Sequence, residues 1–161
     1  MDSTELVQQL RSTFSAVLTI QTDSDMPVII VQTSHLLVLI SHLIEVEEFT
    51  FLTDLCGVHD PDQEKPLGVV YHLHHLPKNL RLRIKTFVSE QDPRIPSLTP
   101  LFESANWMER ETYDFYGILF EGHPNLIRIL NEDEMDYFPM RKTYALEDST
   151  STDKDDSMFG R

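Results

Sequence analysis

The segment Trp107 to Gly117, WMERETYDFYG, gathers groups capable of chemistry: the carboxylates of Glu109, Glu111 and Asp114, the guanidinium of Arg110 and the indole of Trp107. Three uses fit these residue types. Two carboxylates of different proton affinity can work as an acid–base pair. Carboxylates joined by histidine can hold metal, as in di-iron helical bundles. That arrangement needs Glu-x-x-His on the helix, and His123 lies beyond Gly117. The third use is structural: an arginine ties carboxylates and main-chain carbonyls together and fixes how helix, loop and sheet meet. On a helix Arg110 and Asp114 are four residues apart and can pair. Glu111 lies one turn after Trp107, on a different face from Arg110. The structural use fits best, and it leaves the chain no catalytic residue of its own.

Other clusters carry less. His72 and His74 share one face of a strand and His75 faces the other way. Two imidazoles make at most half a tetrahedral metal site, and the adjacent Arg81, Arg83 and Lys85 repel a cation. A polar outer sheet face is the simpler reading. Cys56 with His59 three residues on is a poor nucleophile–base pair, and a packed thiol is expected. The five glycines show neither G-x-G-x-x-G nor Walker spacing, so no nucleotide or flavin site is visible. Gly122-His123-Pro124 reads as a rigid turn, with His123 a hydrogen-bonded strut.

Two blocks, Trp107 to Leu130 and Pro139 to Tyr144, together resemble the 30-kilodalton subunit of respiratory complex I, known in bacteria as the C subunit of NADH:quinone oxidoreductase. That family reads W-x-E-R-E-x-x-D-x-x-G, then G-H-P-D-L-R-R-I-L, then P-x-R-K-x-Y. The chain keeps Glu109-Arg110-Glu111, Asp114, Gly117, Gly122-His123-Pro124, Arg128-Ile129-Leu130 and Arg141-Lys142, and departs at Asn125 and Ile127. The resemblance implies a non-catalytic scaffold subunit in the quinone-reducing module of the peripheral arm. It implies no cofactor in this chain, with FMN, iron–sulfur clusters and quinone in partner subunits. The partners it implies are the large quinone-site subunit and nearby iron–sulfur subunits, at the cytoplasmic face of the bacterial inner membrane. A second reading is the equivalent subunit of a membrane-bound hydrogenase, formate hydrogenlyase or deazaflavin-dependent dehydrogenase. A third, of another class, is a metal-dependent hydrolase using Glu109, Glu111, Asp114 and His123.

Composition bounds these readings. A chain of 161 residues with a net charge of −14 is repelled by nucleic acid and by anionic membranes. The charge is uneven: residues 1–60 hold Arg11 as their one basic residue against nine acids. Charge of this kind serves solubility, and can also serve docking onto basic surfaces. One cysteine excludes an internal disulfide and falls short of the four thiolates an iron–sulfur cluster usually takes. No apolar run reaches the roughly 20 residues of a membrane helix, and the start, MDSTELVQQLR, does not read as a signal peptide.

The elements that must position these groups follow from periodicity. A helix is expected over 2–11, capped near Ser3 or Thr4, then strands over 14–21 and 27–32 with a turn at 22–25. Thr33 and Ser34 should cap a helix through Ile44. A strand over 49–57 should place Phe49, Phe51, Thr53 and Leu55 on one face. A hairpin is expected over 67–76 and 80–88, turning at Pro77-Lys78-Asn79. The prolines of 89–100 predict a loop before the charged helix. The sum is an α+β fold, a mostly antiparallel sheet packed against helices. Residues 1–130 form its head and 131–161 an extended acidic arm. In that arm Arg141 and Lys142 are expected to clasp a neighbouring subunit, and Tyr137, Phe138, Met140, Tyr144, Met158 and Phe159 need another surface to order them.

Overall fold

In the computed structural model, which describes residues 3–14, 18–21 and 25–144, a five-stranded sheet lies against three helices. The strands are β1 (Leu18–Gln21), β2 (Val28–Val31), β3 (Phe51–His59), β4 (Leu67–His75) and β5 (Leu80–Val88), in the order β1-β2-β5-β4-β3. All neighbours are antiparallel except β2 and β5, which run parallel with Val28 opposite Arg83. The fold is α+β, as the sequence predicts.

Alternation explains the sheet. In β5, Leu82, Ile84, Thr86 and Val88 are buried while Arg81, Arg83 and Lys85 face outward. In β4, Leu67, Val69, Tyr71, Leu73 and His75 share the same inner face. Helix α1 (Ser3–Thr13) covers that face with Leu6 and Leu10, and helix α2 (Thr33–Glu45) with Leu36, Leu39, Ile40 and Leu43. These side chains form one core, since each amphipathic element can only remove its stripe from water against the others.

Four details depart from expectation. Thr33 and Ser34 do not cap α2: Gln32 takes the cap position with extended backbone, and the Ser34 hydroxyl lies 3.0 Å from His35 Nδ1. The helix begins one residue before either hydroxyl can reach back. Strand β3 has the opposite phase to simple alternation. A bulge between Leu52 and Asp54 shifts the register, so Leu52, Leu55, Gly57 and His59 turn inward while Phe51 and Thr53 are exposed. Phe14 ends α1 by donating its N–H to the Leu10 carbonyl instead of opening a strand. Finally, the proline-rich stretch is not all loop. Arg94–Pro96 forms β6, which pairs parallel with β7 (Leu119–Glu121). Proline is tolerated because the strand is three residues long and lies at an edge.

Residues 1–2, 15–17, 22–24 and 145–161 lie outside the described residues, and with them the start of the first helix, part of the first strand, most of the first turn and the acidic tail. So do the side chains of Ser3 and Thr4.

Candidate functional site

Helix α3 (Ala105–Tyr116) carries the charged segment and lies along the edge strand β3. It ends at Gly117, whose φ of 71° is left-handed and whose N–H bonds the Tyr113 carbonyl. The chain then passes through β7 and the Gly122 turn and comes back beside the helix, residues 127–131 running from Arg110 towards Asp114.

Asp114 is the hub of that return. It is fully buried, and its carboxylate accepts five hydrogen bonds. The amides of Ile129, Leu130 and Asn131 converge on Oδ2 at 2.8 to 3.1 Å, while Arg128 Nη1 and Asn131 Nδ2 meet Oδ1 at 2.8 and 3.0 Å. Burial opposes ionisation here, but the amides of Asn131 and Leu130 with the Arg128 guanidinium outweigh it and hold the carboxyl well below the usual range. Asp114 therefore pairs with Arg128, not with Arg110 four residues earlier on the helix. Arg110 donates instead to the carbonyls of Ile127 (3.2 Å) and Arg128 (3.4 Å), and its guanidinium stacks 4.9 Å from the Trp107 ring centre.

Glu109 points the other way, into the core, with no exposed surface. Ser97 Oγ donates to it at 2.7 Å and the Leu98 amide at 2.6 Å, so it holds the turn after β6. Burial pushes its carboxyl up to about 7 against the pull of those two bonds. Glu111 is exposed, and His123 is a strut: its Nε2 meets the Asn106 carbonyl at 3.1 Å and its Nδ1 accepts from the Asn125 amide at 3.0 Å. The four residues of a hydrolase site thus point to four different surroundings. Among the described residues no three His, Cys, Asp or Glu side chains gather to hold a metal.

The segment after Leu130 folds back onto the head. Arg128 donates Nη2 to the Met135 and Tyr137 carbonyls. Phe138 lies between Arg128 and Arg141, at 5.0 and 4.9 Å from their guanidinium carbons, and its ring fills the space beside Gly117. Arg141 donates to the Tyr116 carbonyl at the C-terminal end of α3, where a cation is favoured. The Lys142 amide donates to Nδ1 of the buried His59, whose Nε2 lies 3.1 Å from Glu90. Residues 131–144 therefore find their ordering surface on this chain's own head. A cavity of about 780 Å³ remains between residues 139–144 and the outer sheet face at Val70, Lys85 and Phe87.

His72 of β4 is occupied as well. His72 Nε2 accepts from Arg83 at 2.8 Å and its Nδ1 faces Asp54 at 3.3 Å, so neither ring nitrogen is free for a metal. Cys56 and His59 sit on opposite faces of β3, and the thiol is exposed, not packed as expected, because its side of this edge strand is the outer one. Partial burial together with Asp54 raises its pKa.

His59, Phe138, Ser97 and Asn131 were not singled out by sequence as parts of this network. The signals present were a lone polar residue at a strand end and an aromatic within reach of two arginines.

Residues 29–150 match the family described as "Respiratory-chain NADH dehydrogenase, 30 Kd subunit". The chain belongs to that family. The NADH-quinone oxidoreductase C subunit of Moorella thermoacetica is 38% identical over 141 residues, covering 88% of this chain and 94% of that protein. The C subunit of Methylobacterium radiotolerans is 43% identical over 120 residues, 73% of this chain and 55% of that protein. That of Xanthobacter autotrophicus is 48% identical over 96 residues, 60% of this chain and 46% of the relative. The chain thus spans about half the length of the latter two relatives. Among solved structures, a trypsin-resistant fragment of Nqo5 superposes with a TM-score of 0.68 at 30% identity, over 78% of this chain and all of that one. A chain of the membrane-bound sulfane sulfur reductase, an archaeal respiratory membrane complex, shares the fold: TM-score 0.75, 22% identity, 89% of this chain and 85% of that one.

Proposed function

We propose that this family member is a non-catalytic scaffold subunit of the peripheral arm of a proton-translocating NADH:quinone oxidoreductase, in the quinone-reducing module. The observation that carries the reading is the employment of the charged segment. Asp114 closes a loop with five hydrogen bonds, Glu109 is enclosed in the core, and Arg110 holds two carbonyls. Groups that would do chemistry in a free-standing enzyme are occupied in holding helix, loop and arm together. FMN, iron–sulfur clusters and quinone then belong to partner subunits, chiefly the large quinone-site subunit and the iron–sulfur subunits beside it. Trp107, Glu109, Arg110, Glu111, Asp114, His123, Arg128, Arg141 and Lys142 serve structure and interface.

On this reading residues 1–130 are the head and 131–161 the arm. Among the described residues no helix is long and apolar enough to cross a membrane. Attachment to the cytoplasmic face of the inner membrane runs through the assembly.

The test is gentle affinity purification of the tagged chain from its native membranes, with mass spectrometry of what is retained. Flavin, NADH-binding and iron–sulfur subunits are expected. Hydrogenase or formate dehydrogenase subunits in their place would move the chain to a related assembly. A lone chain carrying stoichiometric metal would overturn the scaffold reading.

A further inference from the structure

Trp107 is the chain's one tryptophan, and it is 64% exposed on a well-packed helix. Arg110 stacks over one face of the indole, 4.9 Å from its centre, and anchors itself to the Ile127 and Arg128 carbonyls. The ring is therefore held in place while its other face meets solvent. Ile127 and Leu130, on the segment that runs beside α3, are also exposed, at 50% and 65%. Trp107, Arg110 and Asp114 fall on one face of α3, and the segment carrying Ile127 and Leu130 is bonded through its main chain to Arg110 and Asp114, so three exposed apolar residues lie along that flank of the helix.

The charges around them have one sign. Glu103 and Glu111 lie four residues before and after Trp107 and are exposed, as are Glu132, Asp133 and Glu134 beyond Leu130. The two nearby arginines do not offset them at the surface, because Arg110 is buried and Arg128 is paired with Asp114. A rigid exposed tryptophan among aliphatic neighbours with a charged rim has the make-up of an interface anchor. Tryptophan supplies much contact area, and its stacking on arginine lowers the entropy lost on docking.

We infer that the face formed by Trp107, Ile127 and Leu130 docks another subunit of the assembly, through an apolar hollow on that subunit rimmed by Lys and Arg. The inference rests on the scaffold reading and adds the docking face and the chemistry of its partner. A second copy of this chain is disfavoured as occupant, because it would set the acidic rim against itself.

The test places a benzophenone amino acid at position 107 of the tagged chain in its native membranes, with position 38 as control. Val38 is 59% exposed on α2. After irradiation, position 107 should cross-link to another subunit, at a segment where apolar residues are flanked by Lys or Arg, and position 38 should not reach that segment. A companion variant, Trp107→Glu, should keep the isolated chain's melting temperature, while its retention of that subunit falls at least tenfold.

A complex that co-purifies intact but gives no cross-link from position 107 overturns the docking face and leaves the scaffold reading standing. A cross-link to a second copy, or to an acidic segment, overturns the partner chemistry. A tagged chain that co-purifies with no other subunit overturns the scaffold reading, and this inference with it.

Discussion

Asp114 and Arg128 stand on opposite sides of the Gly117 turn, yet their side chains meet at 2.8 Å, both shielded from water. Their separation in sequence is 14 residues. The pair converts an excursion through β7 and the Gly122 turn into a closed loop fastened to the helix it left.

Removing one partner of a buried, fully bonded pair is expensive, because the other charge stays buried. Asp114→Asn is expected to lower unfolding stability by about 3–5 kcal/mol, measured by urea denaturation at pH 7. The pH dependence has a definite sign. The folded carboxyl is held well below its usual range, so the unfolded chain takes up a proton near pH ~4 while the folded chain does not. The stabilisation is complete above that pH and is lost as pH falls. The gap between wild type and variant should therefore narrow from pH 6 to pH 3.

Glu109 behaves oppositely. Its carboxyl is raised to about 7 in the fold from 4.5. Its stabilisation is complete below about 4.5 and is lost as pH rises through 7. Glu109→Gln keeps an acceptor for the Leu98 amide, turns an amide donor towards Ser97, whose hydroxyl then accepts instead of donating, and carries no charge. Between pH 5 and 8 its denaturant midpoint should stay level on this account while that of the wild type declines. A parallel decline in both would remove Glu109 as the cause.

Arg110→Ala deletes the stack on Trp107 and leaves two carbonyls without their donor. Hydrogen bonds from a charged group contribute about 1.5–3 kcal/mol, so a loss of that size is expected. Thermal unfolding of the chain, and the level of assembled complex in membranes, should both drop. Normal incorporation with an intact cluster chain but lost quinone reduction would sink the scaffold reading.

Gly117→Ala meets two obstacles. A side chain in the left-handed region costs about 1–2 kcal/mol, and the added carbon would fall inside contact distance of the Phe138 ring. The ring must leave its place between Arg128 and Arg141. Faster tryptic cleavage after Arg141 and Lys142 is expected, together with a lower melting temperature. Unchanged cleavage would show that Phe138 does not hold this segment.

Much of this architecture was legible from alternation alone. Leu82, Ile84, Thr86 and Val88 against Arg81, Arg83 and Lys85 give β5 its faces, because burial on one side writes a period of two into the chain. The glycine at 117 marks the end of α3 for an equally local reason. What escaped was non-local. The phase of β3 depends on a bulge at Leu52/Asp54 that nothing in its own composition marks. Strand β6 exists because Leu119–Glu121 pairs with it from across α3. Arg110 and Asp114 look like partners on a helical wheel, but a wheel omits the chain that returns beside it with Arg128 and three amides. His59 showed as a weak base for Cys56, and its bond to Lys142 spans 83 residues.

That last separation bears on the order of events during synthesis. Strand β2 must wait for β5, more than fifty residues later, before its parallel partner exists. The His59 acceptor waits until residue 142 has emerged. Contacts so distant in sequence slow folding, since loop-closure entropy is lost before they reward it. A chain of which only the residues before Arg128 have emerged from the ribosome would hold the sheet and α3 but not the fastening at Asp114. Its apolar surface beside α3 would stay open to chaperones until the final stretch arrives.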